Sequence, residues 1–319
     1  MDIEQKNRRE EVLWQLVRQA RLEENELKDR LNKALMPAYW EELNPDLSVR
    51  GSRTTTLVEA APLDSQCQEE FLAEYAKEGY FQTEPMLMTS TTERMRQCVE
   101  VLRKEGWPPV FALVYDLFWL AARGPSLVRL LSAILGPAYK QVSHVWVYYI
   151  YPRRGATGWR PHTDGLRKRR INVWIPLTDA TLDNGCMYII PRDLAPRGVE
   201  GPILKQKSFN LTEVQALLQS SRSLPARAGE YLAWDDDVIH WGSTCLQAGD
   251  PRISIAFEFI GEQVDSEDHE LPLLDAHDSL PTFAQRLNVI GKGILTYPKF
   301  EALLSRYKKL GQRLLEYAE

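Results

Sequence analysis

The stretch RPHTDGLRKRRINVWIPL, residues Arg160 to Leu177, sets one histidine and one aspartate two positions apart, just ahead of an apolar run. The run from Ile171 to Leu177 is rich in β-branched and aromatic residues, which suit a buried strand. If the segment before it is also extended, His162 and Asp164 stand at i and i+2 and project to one face. An imidazole nitrogen and a carboxylate oxygen can then reach one metal ion from adjacent corners. The fold therefore turns on whether the surrounding chain reads as strands that could bring further ligands to that face.

It does. QVSHVWVYYIYP begins at Gln141, and INVWIPL, GCMYIIP, GEYLAWDDDVIHW and RISIAFEFI follow, separated by Gly, Pro, Asn and Asp clusters. Short strands punctuated in this way predict a sandwich or barrel rather than βαβ units. Around them the pattern is helical. Glu10 to Leu35 contain no Gly or Pro, and Leu13, Leu16, Val17, Ala20, Leu27, Leu31 and Leu35 recur near a helical period. Such a helix lies against the domain or a partner chain, or rests on a membrane or amphipathic ligand. Leu127 to Leu135 read as another helix, stopped by Gly136 and Pro137, and helical sequence resumes near Thr282 after the acidic EQVDSEDHE. The expected organisation is one catalytic domain over 1–319. Residues 1–140 form a mostly helical elaboration, 141–262 a β core carrying the metal site, and 263–319 a helical C-terminal segment.

Composition bounds the function. The chain has 319 residues, 39 Lys and Arg against 44 Asp and Glu, and a net charge of −5, so no basic field points to nucleic acid. Cys67, Cys98, Cys186 and Cys245 are scattered without a CxxC pair, which fits reduced thiols. The charged start MDIEQKNRREE has no apolar core of a signal peptide, and no run approaches a bilayer-spanning length. The expected location is cytoplasmic, with peripheral membrane contact through the first helix left open and oligomeric state undetermined.

The remaining histidines are His144, His240, His269 and His277. His240 lies in DDDVIHWGS, a turn leading into a strand that could cross back to the first site. His-x-Asp with a distant histidine matches a two-histidine, one-carboxylate triad, which leaves three positions of an octahedral Fe(II) open. A closed zinc site would want a fourth protein ligand, usually thiolate, and no cysteine is near His162. Twelve residues after His240 comes Arg252, with Ser254 two positions on along a probable strand. A buried guanidinium fork beside a hydroxyl suits a terminal carboxylate, and a lone arginine in a β core is otherwise costly.

Taken together, HTD, GEYLAWDDDVIHWGS and PRIS resemble the Fe(II)/2-oxoglutarate-dependent dioxygenases, and within them the phytanoyl-CoA dioxygenase-like group. INVWIPLTDATLDNGCMYIIPRDL is similar to that family's strand, turn and strand, so the likeness spans about Gln141 to Gly261. The resemblance implies a mainly β core with flanking helices, a double-stranded β-helix (jelly roll, cupin-like). It implies Fe(II) as cofactor, 2-oxoglutarate and O₂ as co-substrates, and ascorbate as reductant in vitro. By position, His162, Asp164 and His240 are the implied metal ligands. Arg252 and Ser254 are implied to hold the far carboxylate of 2-oxoglutarate, with Trp174, Tyr149 and Tyr151 as further contacts. The implied reaction is hydroxylation of an unactivated C–H bond with release of succinate and CO₂. Related halogenases lack the carboxylate, so Asp164 argues against halogenation. Two departures touch the substrate side: Pro161 precedes His162 where the family often has tryptophan, and IPRDL stands where it often has IPGSH.

Other residues admit two readings. Arg167 to Arg170, RKRR, are a solvated loop or a basic loop holding an anionic substrate group, with Arg167 and Lys168 nearest the motif. Trp159, Trp241 and Tyr148 line a substrate cavity or belong to the core. Asp235 to Asp237 are a solvated turn or a support for an imidazole. His144 reads as a packed or edge-strand residue, and His269 and His277 as surface residues. The expected partner is a small or amphipathic metabolite such as a natural product, a sugar or glycolipid, or an acyl compound. Two alternatives stand beside it: a cupin-like metalloenzyme that does not use 2-oxoglutarate, and a non-catalytic binding module on the same fold.

Overall fold

The computed structural model describes residues 22–51, 60, 62–165, 169–195, 211–247 and, with short gaps, 249–318. Two compact units emerge. One comprises the described residues of Met1–Thr55, Cys98–Trp119 and Ser279–Glu319, and the other those of Thr56–Gln97 and Leu120–Asp278.

The first unit is helical. Glu24–Ala34, Pro37–Leu43, Phe283–Thr296 and Lys308–Ala318 are its principal helices. Pro37 starts its helix where its missing N–H costs nothing. Thr282 caps Phe283–Thr296 through a reciprocal box with Gln285. The helices Phe283–Thr296 and Lys308–Ala318 approach at Gly291 and Gly311, where a Cβ on Gly291 would meet the Gly311 carbonyl at 2.9 Å. Trp40, Trp107, Phe111 and Tyr115 form an aromatic core, with Trp107 and Phe111 centroids 4.6 Å apart. The described part of the expected Glu10–Leu35 helix is Glu24–Ala34; the rest lies outside the described residues.

The second unit is the β core, a jelly-roll arrangement of cupin type. Its strands are β1 (Tyr80–Gln82), β2 (Lys140–Ile150), β3 (Arg170–Pro176), β4 (Met187–Ile190), β5 (Arg222–Leu224), β6 (Leu232–Asp235), β7 (Ile239–Gly242), β8 (Arg252–Ile260) and β9 (Leu274–Asp275). They form a six-stranded sheet, β1-β6-β3-β8-β2-β9, and a three-stranded sheet, β5-β4-β7. Every pairing is antiparallel. Isolated bridges Thr157↔Thr244 and His162↔His240 tie the loop after β2 to β7 and the residues beyond it.

Alternation divides the large sheet into two faces. One carries Ile171, Val173, Ile175, Ile253, Ile255, Phe257 and Phe259, all at most 1% exposed. The other carries Asn172, Trp174, Trp234, Arg252 and Ser254. Trp174, Trp234 and Leu232 pack there with Met187 and Ile189 of the small sheet. The turn from β3 to β4 is held by Asn184, whose side chain accepts from Thr181 N and donates to the Asp179 carbonyl. Gly185 follows at φ 96°, the left-handed backbone that glycine tolerates. On the far side of the small sheet, Leu217 of the helix Leu211–Ser220 and Trp241 both pack on the pair Ile190 and Ile239.

The sequence missed β1, β5 and β9. The helix expected over Leu127–Leu135 is Pro125–Leu135, ending at Gly136 with φ 98°.

Candidate metal centre

His162 and His240 face each other across their bridge. The His162 N–H donates to the His240 carbonyl at 3.1 Å, and the His240 N–H to the His162 carbonyl at 3.0 Å. Their rings lie 4.3 Å apart. Asp164 completes the group: Oδ1 is 3.5 Å from His162 Nε2 and Oδ2 is 3.4 Å from His240 Nε2. One ligand atom from each residue lies within 4.8 Å of the others.

Each imidazole is aimed by its second nitrogen. His162 Nδ1 meets the Arg160 carbonyl at 2.7 Å, and His240 Nδ1 meets the Val238 carbonyl at 3.0 Å. A carbonyl oxygen only accepts, so both Nδ1 atoms carry the proton and both Nε2 atoms present a lone pair to the site. Asp164 is held through Oδ2, which accepts from Asn172 Nδ2 at 2.8 Å and Trp234 Nε1 at 3.0 Å.

The charge states suit a cation. Burial pulls His240 down to about 4 and keeps it neutral. Burial alone would raise the Asp164 carboxyl, but His240, His162 and the Trp234 N–H outweigh it and hold the group at about 2. Burial likewise opposes a charge on His162, and the Asp164 carboxylate overcomes it, so this imidazole shifts upward. His162 Nε2 is nevertheless buried without a hydrogen-bond partner. A buried lone pair with nothing to accept from, facing a carboxylate, is the state a bound cation would relieve. Two imidazoles and one carboxylate fit Fe(II).

Arg252 lies beside this group. Its guanidinium packs against Gly242, two residues beyond His240, and against Gly158: a Cβ on Gly242 would come within 3.1 Å of both terminal nitrogens. The residue is 2% exposed, and among the described residues no carboxylate pairs with it. Nη1 donates to the Gly185 carbonyl, while Nε has no partner. Burial draws its pKa down to about 10, which leaves it cationic at neutral pH. Ser254, fully buried on the same face, has a hydroxyl with no partner. The Trp174 ring stands 5.9 Å from the guanidinium carbon.

Other expected contacts are placed differently. Tyr148 is registered with Ser254 and Tyr149 with Ile253, so Tyr148 shares the face of Arg252 and Tyr149 points to the opposite one. Tyr151, just past β2, packs on Tyr149 at 5.3 Å. By register Tyr149 therefore lies on the face away from Arg252, and Tyr148 on the face that carries it. Trp241 also turns away: it follows His240 in β7 and stacks on Tyr188 at 5.4 Å. Trp159 stays near, with its ring 5.2 Å from His162 and 6.0 Å from Tyr148. Arg167, Lys168 and His269 lie outside the described residues.

In the acidic turn two of the three carboxylates are engaged by an arginine. Asp235 and Asp237 receive Arg192 at 2.6 and 3.0 Å, and the Asp236 carbonyl accepts from Gly165 N at 3.1 Å. His144 is half-buried, 3.8 Å from Glu258. His277 is half-buried rather than on the surface, with its ring 4.3 Å from that of Tyr139. Sequence reasoning missed Asn172 and Trp234, although both stood in stretches it had read as strands.

Residues 113–254 match the family model of phytanoyl-CoA dioxygenase (PhyH), a segment containing His162, Asp164, His240, Arg252 and Ser254. No curated protein matches the chain. Among solved structures, the epimerase SnoN in complex with Fe3+, alpha ketoglutarate and nogalamycin RO is similar in fold. It has 18% identity and a TM-score of 0.51, over 62% of this chain and 85% of that one. The carbocyclase SnoK from nogalamycin biosynthesis gives 19% and 0.48, over 69% and 99%. EctD from S. alaskensis in its apoform gives 15% and 0.46, over 67% and 81%. Among the described residues no helix is long and apolar enough to cross a membrane.

Proposed function

We infer, from the match of residues 113–254 to the family model of phytanoyl-CoA dioxygenase (PhyH), that this chain is an Fe(II)/2-oxoglutarate oxygenase hydroxylating an unactivated C–H bond of a small or amphipathic metabolite. The observation that carries this reading is a buried, cationic Arg252 with no carboxylate partner among the described residues, packed two residues beyond His240 of the candidate triad. A metal site alone would fit many cupin-like enzymes. A desolvated guanidinium without a counter-charge is costly, and a dicarboxylate reaching from the metal would neutralise it.

In this reading His162, Asp164 and His240 hold Fe(II), which supplies the redox chemistry between 2-oxoglutarate, O₂ and substrate. Arg252 and Ser254 grip the remote carboxylate of 2-oxoglutarate, with the Trp174 face beside them. The Nδ1–H bonds to the Arg160 and Val238 carbonyls leave both Nε2 lone pairs free to hold the metal when it is bound. Trp159 and Tyr148 form an aromatic wall next to His162, where an apolar part of a substrate would lie out of water. No side chain is needed as nucleophile or general base.

The test is succinate formation from 2-oxoglutarate by the full chain with Fe(II) and ascorbate. The expected result is a slow substrate-free turnover that EDTA abolishes. Absence of 2-oxoglutarate binding by the metal-loaded protein would favour the cupin-like alternative, and absence of metal binding the non-catalytic one. Product mass with a substrate in hand distinguishes hydroxylation from desaturation, ring formation or demethylation.

A further inference from the structure

We propose that Asn172 and Trp234 act together as positioning residues that tie up one oxygen of Asp164 and leave the other as the single carboxylate atom offered to the metal. The inference deepens the iron-site reading above and rests on it. Asn172 of β3 and Trp234 of β6 are a registered cross-strand pair. Their side chains stand on one face and converge on one atom: Asn172 Nδ2 and Trp234 Nε1 reach Asp164 Oδ2 at 2.8 and 3.0 Å. Asp164 Oδ1 faces His162 Nε2 at 3.5 Å and Oδ2 lies 3.4 Å from His240 Nε2, but among the described residues the two short N–H bonds both go to Oδ2. An ionised carboxylate oxygen that already accepts two N–H bonds has little capacity left for a cation. The free oxygen is the better donor, so the carboxylate binds through one atom.

That choice has a chemical consequence. A carboxylate bound through both oxygens would fill a fourth position of an octahedral ion and leave two. Bound through one, it leaves three, the number that a chelating keto acid and a gas together need. Trp234 has a second part in the arrangement. Its ring lies 4.4 Å from that of His240, so one side chain sets the plane of one ligand and the rotation of another. The pair is 4% exposed at Trp234 and half-buried at Asn172, and the sheet register fixes their separation. Donors on paired strands are placed more precisely than donors on loops.

A purely structural role, in which Asp164 merely satisfies two buried donors, makes a different expectation. It would lower stability on substitution and leave the metal unaffected. The experiment titrates the metal-free full-length chain with Co(II), followed by calorimetry and by visible absorption, for wild type, Asn172→Leu, Trp234→Phe and the double variant. Phe keeps the ring against His240 and removes only the N–H. Each single variant is expected to weaken Co(II) binding about 10-fold and the double variant up to about 100-fold. At saturating Co(II) the variants' ligand-field bands should differ from wild type as the second oxygen enters the coordination sphere. Folded Trp234→Phe with wild-type affinity and wild-type bands overturns the proposal. If Asn172→Leu does not fold, Trp234→Phe decides alone. A wild-type chain that takes up no Co(II) sinks the iron-site reading itself, whereas uptake by wild type with unaltered variants sinks only this inference.

Discussion

The backbones of His162 and His240 hydrogen-bond to each other in both directions, at 3.1 and 3.0 Å, so main chain holds the two residues opposite each other. Truncating either ring leaves that bridge intact. His240→Ala and Asp164→Ala are therefore expected to stay folded, to lose stoichiometric binding of Fe(II) or Mn(II), and to form no succinate. Metal analysis of the purified variants, beside their far-ultraviolet circular dichroism, checks this. Full metal occupancy in Asp164→Ala would remove that residue from the site.

Arg252 makes a prediction about stability as well as affinity. Its charge is buried without a counter-ion among the described residues, so a dicarboxylate should stabilise the metal-loaded protein, by about 2.7 kcal/mol at a hundredfold excess over Kd. 2-Oxobutyrate, which lacks the second carboxylate, should stabilise much less. Arg252→Gln should raise the 2-oxoglutarate KM at least tenfold. The ligand-free Arg252→Met protein should melt no lower than wild type, because an uncompensated charge has been removed. A large fall in its Tm would mean that Arg252 serves the fold through its bond to the Gly185 carbonyl instead.

Gly242 and Gly158 leave the space in which that guanidinium lies. A methyl on Gly242 would sit 3.0 Å from Gly158 Cα and 3.1 Å from each terminal nitrogen of Arg252. Backbone cannot yield as a flexible side chain can, so the arginine must shift. Gly242→Ala is expected to raise the 2-oxoglutarate KM about tenfold, since misplacement by an ångström costs heavily. Its metal affinity should change little. Steady-state kinetics over 2-oxoglutarate, set against a Mn(II) titration, separates the two effects.

What the sequence disclosed, and what it withheld, follows from the length of each signal. β2, β3 and β8 run for 7 to 11 residues and show β-branched and aromatic runs. β1, β5 and β9 have only 2 or 3 residues, too few for any period to register. Spacing was enough to set Arg252 beside Ser254, because i and i+2 on a strand share a face whatever the register, whereas His162 and Asp164 meet in the segment between β2 and β3, where no strand period applies. It could not say which of Tyr148 and Tyr149 joins them. That depends on the pairing of β2 with β8, whose register shifts between Gln141 and Val145. The same limit hid Asn172 and Trp234, which meet only when β3 and β6 are aligned.

The helical unit rests on a second buried arginine, and here the partner is present. Arg286 Nη1 meets Asp116 Oδ1 at 2.6 Å, and both side chains are wholly buried. Arg286 also donates to the Val114 and Pro281 carbonyls at 2.8 Å each. Asp116 accepts from Gly51 N at 3.1 Å, while its own N–H donates to the Ser48 carbonyl at 2.8 Å. Three stretches of chain, around residues 48–51, 114–116 and 281–286, are thus joined at one ion pair. Asp116→Ala would strand the guanidinium in the interior and is expected to cost about 3–5 kcal/mol. Asp116→Leu combined with Arg286→Met removes both charges and should cost clearly less than the sum of the single changes. Urea unfolding of the two single variants and the double variant measures the coupling. Additive losses would show that the pair carries no mutual stabilisation and that the three stretches are held by the aromatic core around Trp40 and Trp107 alone.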